Sequence, residues 1–182
     1  MKLIPLQERE KEFGLLQARE AFKNVIRISA YAINNDIRDR DELFYPLLVA
    51  AHVIYARPFL QNYGFGKLDD ILVPAKYQET HKRILEYRHK VFAHRQLKEK
   101  RKGESHSTLL DYHAVYLRVR GNQAFTVVAE QHPGPESFRE MSKLSRILLE
   151  KVRYHSQKFS KKYMRLMPRE DGTYKQIGRA HV

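Results

Sequence analysis

The N-terminal part of the chain carries apolar and small residues at steps of three and four, with Arg and Glu between them. This spacing is the period of one face of an α-helix whose opposite face meets water. The pattern predicts a first helix with a buried face made of Leu15, Ala18, Phe22, Val25, Ser29 and Ile33.

The next apolar stretch runs from Leu43 to about Leu60 and is apolar nearly all round. A helix with this composition is enclosed by other helices, so the stretch predicts a central helix. Pro46 fits the first turn of such a helix, whereas Pro58 kinks or ends it. The following segment "NYGFGKLDD" has two glycines close together, which indicates a loop.

A third helix is predicted after the loop, with Pro74 as its first helical residue, a position that proline favours. Its length covers the decapeptide "EYRHKVFAHR", which spans Glu86 to Arg95. The predicted apolar stripe of this helix consists of Tyr77, His81, Ile84, Tyr87, Val91 and His94.

The period of the pattern changes after a basic segment, 95–104, which its length and Gly103 mark as a surface loop. Val115, Leu117 and Val119 then alternate with polar residues, and a Gly-Asn step leads into a second alternating stretch. Alternation on both sides of a two-residue turn is typical of a β-hairpin.

The last periodic segment predicts a long helix that begins near Glu136. Its apolar face consists of Leu144, Leu148, Val152, His155, Phe159, Tyr163 and Leu166. A different face is cationic, with no acid between residues 151 and 169, and carries Lys151, Lys158, Lys162, Arg165 and Arg169.

The periodic segments together predict an all-α fold, an antiparallel helical bundle with a β-hairpin insert before the last long helix. The 182 residues suit a single domain, 1–182, with a core of about 10–167 and a tail of 168–182.

Composition adds an expectation about partners. The formal net charge is +13, so an anionic partner is expected, either nucleic acid or an acidic membrane surface; a merely soluble basic protein is the alternative. The chain has no cysteine, which excludes disulfides and thiolate chemistry. Since no apolar run has the length of a signal peptide or a membrane span, we expect a cytoplasmic protein that does not insert into membranes.

The decapeptide holds cationic groups where a buried helix end is expected. Arg88 and His94 are six residues apart, which on a regular α-helix corresponds to about 120° around the axis and about 9 Å along it. His94 falls on the apolar stripe, and Arg88 lies beside that stripe. A permanently charged guanidinium at the margin of a packed face is costly unless an anion meets it.

The segment "RHKVFAH" resembles the signature of the HEPN superfamily (higher eukaryotes and prokaryotes nucleotide-binding domains). In that signature an Arg is followed by a polar residue and, four to six residues later, by His; the matching residues are Arg88, His89 and His94. The resemblance to abortive-infection members implies a metal-independent endoribonuclease of the toxin or anti-phage type. It also implies a homodimer whose two motif helices form one composite cleft.

The resemblance implies roles for individual residues. His94 would be the general acid or base, and Arg88 would clamp the phosphate and stabilise the transition state. Neither a cofactor nor a metal is expected. An antitoxin or a regulatory protein is a further partner, although Gln96 stands where members paired with an antitoxin usually carry Tyr. The residues expected to bind RNA are His89, Lys90, Arg95, Lys98, Lys100, Arg101, Lys158, Lys162 and Arg165.

Other interpretations of the same residues stay open. Arg88 and His94 also suit a helix end, where cations meet the negative pole of the helix dipole. The fold and its basic surface also suit a noncatalytic module that binds RNA or a protein, and a DNA-binding regulator is a third candidate. His52, His81 and His155 are expected to be hydrogen-bonded core residues and not metal ligands.

Overall fold

The structure, a computed structural model, describes residues 4–60, 67–89, 98–99, 108–109, 113–121, 123–130 and 133–164. The described part is mainly helical, which confirms the all-α prediction at the level of fold class. Its α-helices are α1 (Leu6–Asn34), α2 (Phe44–Ala56), α3 (Gln78–Glu86) and α4 (Glu136–Tyr163), and short 3-10 turns occur at Arg57–Phe59, Asp70–Leu72 and Ala75–Tyr77.

Helices α1 and α4 lie antiparallel and form the longest packed seam of the fold. Their buried residues include Phe22 and Val25 on α1 and Leu144 and Leu148 on α4. The predicted face of α1 is wrong at its end, because Ile33 is exposed and Ala32 is buried instead. From Ala18, fourteen residues make almost four full turns at about 3.6 residues per turn, whereas fifteen overshoot the buried face.

Helix α2 lies against α1, α3 and α4, as expected of a central helix. Leu48, Ala51 and Tyr55 are completely buried. The helix ends at Ala56, before the predicted Leu60, and continues as a 3-10 turn that contains Pro58. Since proline has no N–H to continue the helical hydrogen bonds, this position for the helix end follows from the sequence.

Helix α4 begins at Glu136, as predicted, and buries Leu144, Leu148, Val152 and Tyr163. The prediction for His155 is wrong, because its side chain is exposed. After Val152 the next residue in phase with the buried stripe is four positions on, at Ser156, which is half-buried. The predicted Leu166 and the tail 168–182 lie outside the described residues.

Four strands lie between α3 and α4 along the chain. Strand β1 (Lys98–Glu99) pairs antiparallel with β2 (Thr108–Leu109), within and just after a segment for which the sequence predicts a loop. Two-residue strands are too short to show alternation. Strand β3 (His113–Arg120) pairs antiparallel with β4 (Gln123–Glu130), and between them Gly121 adopts a φ of +58°, which glycine tolerates best.

None of the helices in the described ranges is both long and apolar enough to cross a bilayer.

Candidate functional site

The motif helix is preceded by a turn that its own first residues hold in place. Pro74 has an extended backbone and is followed by the 3-10 turn Ala75–Tyr77. The α-helix begins at Gln78, so the prediction that Pro74 is its first residue is wrong. The side-chain amide of Gln78 donates to the carbonyl oxygens of Asp70 (3.2 Å) and Val73 (3.0 Å). These bonds attach the preceding turn to the start of α3.

The end of α3 is irregular at the motif. Residues 87–89 form a π-helical turn directly after Glu86. Such turns are rare, occur often at functional sites, and hold more residues per turn than an α-helix. The angle of about 120° between Arg88 and His94, which assumes a regular α-helix, therefore does not apply beyond residue 86.

Arg88 lies within this π-helical turn. Its side chain is half-buried, and its Nε atom is buried without a hydrogen-bond partner in the described part of the chain. A buried donor without a partner costs about 1–3 kcal/mol, and more when it belongs to a charged group. His89, the next residue, is exposed. The guanidinium of Arg88 is thus placed where an anionic acceptor would stabilise it.

The residue before Arg88 fastens this turn to α2. The ring of Tyr87 is half-buried and meets the ring of His52 edge-on, with 6.0 Å between the centroids. His52 donates from Nδ1 to the carbonyl oxygen of Leu48 at 2.8 Å. Burial lowers the pKa of His52 to about 4, so this imidazole is neutral at physiological pH.

A second buried histidine holds the middle of α3. The Nδ1 atom of His81 lies 2.9 Å from the hydroxyl of Tyr55, and both side chains are buried. Asp70 Oδ1 lies 3.6 Å from Nε2, which permits electrostatic attraction but is too long for a hydrogen bond. Since a carboxylate only accepts, the geometry favours the proton on Nε2 and a hydrogen bond donated by Tyr55 to Nδ1.

The charges around His81 act in opposite directions on its pKa. Burial lowers the pKa, and the carboxylate of Asp70 partly offsets that by raising it. The net effect is a lowered pKa, so His81 is also neutral near pH 7. The predictions for His52 and His81 as hydrogen-bonded core residues are confirmed.

Two contacts connect α3 and its preceding turn to α4. Arg83 pairs with Glu140, and Lys151 donates from Nζ to the carbonyl oxygen of Leu72 at 2.8 Å. Lys151 belongs to the predicted cationic face, but its ammonium group is engaged in this bond and its side chain is half-buried. It stabilises the turn and is not free to meet a phosphate.

The remaining motif and loop residues of the sequence-predicted site fall largely outside the described residues. This is the case for His94. Lys98 lies in strand β1, where only its backbone is described. The other predicted RNA-binding residues outside the described ranges are Lys90, Arg95, Lys100, Arg101 and Arg165.

The two predicted RNA-binding lysines of α4 are both exposed and both have neighbours. Lys158 lies over the ring of Tyr154, with 4.5 Å between Nζ and the ring centroid. Lys162 Nζ lies 3.4 Å from Glu8 Oε1 on α1 and also stands over the ring of Tyr163. The pair with Glu8 partly neutralises this end of the predicted cationic face.

A second cationic surface, which the sequence did not single out, lies along the seam of α1 and α4. Two adjoining open depressions share Arg153 and are lined mainly by cationic and polar side chains. Half of this surface could be read from the sequence of α1, where three cations follow one another at steps of four. The cations of α4 that line the same surface are more than a hundred positions further along the chain. We call this surface the seam groove; its lining cations are Arg19, Lys23, Arg27, Arg146, Arg153 and Lys161.

Within the described ranges, no group of three or more His, Asp or Glu side chains is arranged to hold a metal ion. Comparison of the chain with protein-family models, with curated proteins and with solved structures finds no match.

Proposed function

We propose that the protein is a metal-independent endoribonuclease in which Arg88 and His94 act on one phosphodiester. The observation that carries the proposal is the setting of Arg88: a half-buried guanidinium on a π-helical turn, with a buried Nε that lacks a partner in the described ranges. A phosphate would meet the accessible part of this half-buried side chain, since guanidinium and phosphate match in charge and in planar geometry. The sequence "RHKVFAH", which resembles the HEPN signature, supplies the histidine.

The reaction needs few protein groups because RNA carries its own nucleophile. The 2′-hydroxyl attacks the adjacent phosphorus, and the bond from phosphorus to the 5′-oxygen breaks. The products are a 2′,3′-cyclic phosphate and a free 5′-hydroxyl. His94 would transfer a proton as general base or acid, a contribution of about 10²–10⁴ in rate. Arg88 would stabilise the additional negative charge on the phosphoryl oxygens.

The proposal includes a homodimer, as the resemblance implies. Two motif helices that meet at a symmetric interface would place the arginine and histidine of both copies around one cleft. The attachment of α3 supports such an arrangement, because its contacts with α2 and α4 fix the position of the π-helical turn that holds Arg88 and His89. The finer fold, a HEPN-like bundle with a hairpin insert, is part of the same proposal.

The endonuclease is tested with purified protein, a single-stranded RNA and the matching single-stranded DNA, all in EDTA. We expect cleavage of RNA but not of DNA, and loss of cleavage without loss of dimer in His94→Ala. Arg88→Ala should also abolish cleavage, and Arg88→Lys should restore it only in part, because lysine lacks the paired donors.

The matched control for His94→Ala is His155→Ala, since His155 is an exposed histidine on α4. This variant should cut RNA at the parent rate. Cleavage that requires a divalent cation, or that survives both His94→Ala and Arg88→Ala, would contradict the proposal.

The second candidate function is a noncatalytic RNA-binding module. It is favoured by the seam groove, a cationic surface that lies on other helices than the motif. Retention of RNA in a shift assay without cleavage at any pH from about 6 to 9 would select this function, since an acid or base with the pKa of histidine would act within that range.

A further inference from the structure

The seam groove has an excess of positive charge. Its two depressions are lined by six cations and one acid, Glu150. A second acid, Glu20, borders the groove and pairs with two of the cations. Six positive and two negative charges leave the surface at about +4, a field that attracts polyanions and raises their rate of association.

The lining cations differ in how far they are neutralised. Glu20 Oε1 lies 3.4 Å from Arg19 and 2.9 Å from Lys23, and Glu150 pairs with Arg153 at 2.6 Å. The other three, Arg27, Arg146 and Lys161, form no ion pair with any described residue and are exposed.

Cations outside the groove include several that have acidic partners. Arg38 pairs with Asp36, Arg83 with Glu140, and Lys162 with Glu8. The groove therefore combines a high density of cations with several that have no internal counter-charge.

The cations form rows and do not converge on one point. On α1 they follow at steps of four residues, about 6 Å apart along the axis, and span about 12 Å. On α4 the interval from Arg146 to Lys161 covers about 22 Å. A small anion would require two or three cations around one centre, whereas two parallel rows fit an extended chain of charges.

The shape and the remaining lining residues favour a single strand of nucleic acid. The groove lies between two helices, and its lining includes Ile26 and Leu149 as well as the polar Gln157 and Ser160. Apolar side chains can meet the ribose, and amide and hydroxyl groups can bond to the 2′-hydroxyl. A membrane-binding surface would instead present aromatic or large apolar side chains outward from a helix, and none of the described residues that line the groove is aromatic.

We propose that the seam groove binds the phosphate backbone of single-stranded RNA and delivers the strand to the protein independently of the motif helix. The choice of RNA over DNA rests on the proposed function. Since phosphate contacts carry no sequence information, binding here is independent of base sequence. If each nucleotide advances at least 3.4 Å, the groove holds at most about six nucleotides.

The test measures binding of a labelled eight-nucleotide single-stranded RNA by fluorescence anisotropy, in EDTA, with His94→Ala as the parent so that the probe stays intact. Contacts with four to six phosphates predict a slope of log Kobs against log salt of about −3 to −4. In the double variant Arg27→Glu with Arg146→Glu, we expect the affinity to fall about tenfold or more and the slope to become shallower by about 1.4.

Two control variants carry the same change in net charge. Lys158→Glu with Lys162→Glu alters the face of α4 that the sequence singled out, and Arg40→Glu with Lys76→Glu alters exposed cations that do not line the groove. Arg40→Glu with Lys76→Glu should bind RNA within about threefold of the parent, and Lys158→Glu with Lys162→Glu, at the competing face, should lose less affinity than the groove variant. Thermal melting of each variant checks that it is folded, and single-charge variants replace any double variant that is not.

Equal losses in all three double variants would overturn the inference, because they would reflect general attraction by net charge. A loss confined to Lys158 and Lys162 would overturn it in favour of that face. Groove-dependent binding of phosphatidylserine vesicles or of polyglutamate, without groove-dependent binding of RNA, would overturn it in favour of a membrane or an acidic protein. An affinity that continues to rise beyond about eight nucleotides would contradict the length of the site.

The inference and the proposed function fail separately. Wild-type protein that never cuts RNA, but binds it through the groove, would refute the endonuclease and keep the groove. Wild-type protein that cuts RNA, while the Arg27 and Arg146 variant binds normally, would refute the groove and keep the endonuclease.

Discussion

Two regions of the molecule are held together by different physical means. Helices α1 and α4 share a long seam in which aromatic and aliphatic side chains are fully buried. Helix α3 and the π-helical turn 87–89, which holds Arg88, are attached to their neighbours by polar and aromatic contacts in addition to the buried Ile84. Those contacts are the bond between His81 and Tyr55, the ring contact of Tyr87 with His52, and the pair of Arg83 with Glu140.

This difference bears on what each region can do. Apolar burial depends little on pH and on moderate ionic strength, so the seam provides a stable base for the cationic groove on its surface. Polar contacts depend on protonation and ionic strength. The motif helix is therefore the part of the fold whose attachment solution conditions can weaken.

The largest effect is expected from a cavity in the seam, with Phe22→Ala. The ring of Phe22 is completely buried and lies within 6.0 Å of the rings of Tyr55 and Phe59. Truncating a buried Phe to Ala costs about 3–5 kcal/mol because transfer energy and packing are both lost. Urea unfolding followed by circular dichroism should show this loss of free energy of unfolding.

The control for this cavity is Tyr31→Ala, which removes an aromatic ring from the exposed face of the same helix. It should change the free energy of unfolding by about 0.5 kcal/mol or less. If the two variants are equally stable, α1 does not supply the core as described.

A smaller effect is expected from pH, and it acts through the attachment of α3. The pKa of His52 is lowered to about 4 in the folded protein, against an ordinary value of 6.5. Between these values the unfolded chain binds more protons than the folded one, so stability is complete above pH 6.5 and is lost as the pH falls toward 4. His52 alone predicts a loss of about 2 kcal/mol between pH 7 and pH 5.

The lowered pKa of His81 acts in the same direction. Urea unfolding at pH 7 and at pH 5 measures the combined loss. His52→Gln should make the free energy of unfolding depend less on pH, since glutamine does not titrate but can donate to the carbonyl oxygen of Leu48. His155→Gln, at an exposed position, should leave the pH dependence unchanged. A parent protein that is equally stable at both pH values would contradict a neutral, buried His52.

Helical period was sufficient to predict much of the fold. Segments with long amphipathic patterns, such as α1 and α4, were identified by type, because burial of one face imposes the spacing directly. Helix α1 nevertheless begins at Leu6, before Leu15, the first residue of its predicted face. The errors lie where two neighbouring residues both fit a step of three or four from the preceding buried residue. Ile33 and His155 fit the pattern as well as Ala32 and Ser156, and only the accumulated turn of the whole helix decides between them.

The site was less predictable because its features depend on contacts between distant residues. The histidines at 52 and 81 were interpreted correctly as core residues, but Tyr55 as the partner of His81 is 26 positions away along the chain. The π-helical turn at 87–89 has no signature in the apolar pattern, and the seam groove joins α1 to α4. Arg88 was selected because a cation at the edge of an apolar stripe needs an anion, and because the segment "RHKVFAH" resembles the HEPN signature.

The smallest effect is expected from the pair between Arg83 and Glu140, which connects α3 to α4 at the surface. Both side chains are nearly half exposed, at 48% and 43%, so solvent screens their attraction. A double-mutant cycle with Arg83→Met and Glu140→Gln should give a coupling energy of about 0.2–1 kcal/mol, which decreases at high salt.

The pair between Arg153 and Glu150 lies within α4 and is the control. Breaking either pair should change global stability little, but only loss of Glu140 should speed amide exchange in α3, because only that pair joins two helices. Equal exchange in α3 for both variants would mean that buried contacts alone position the motif helix.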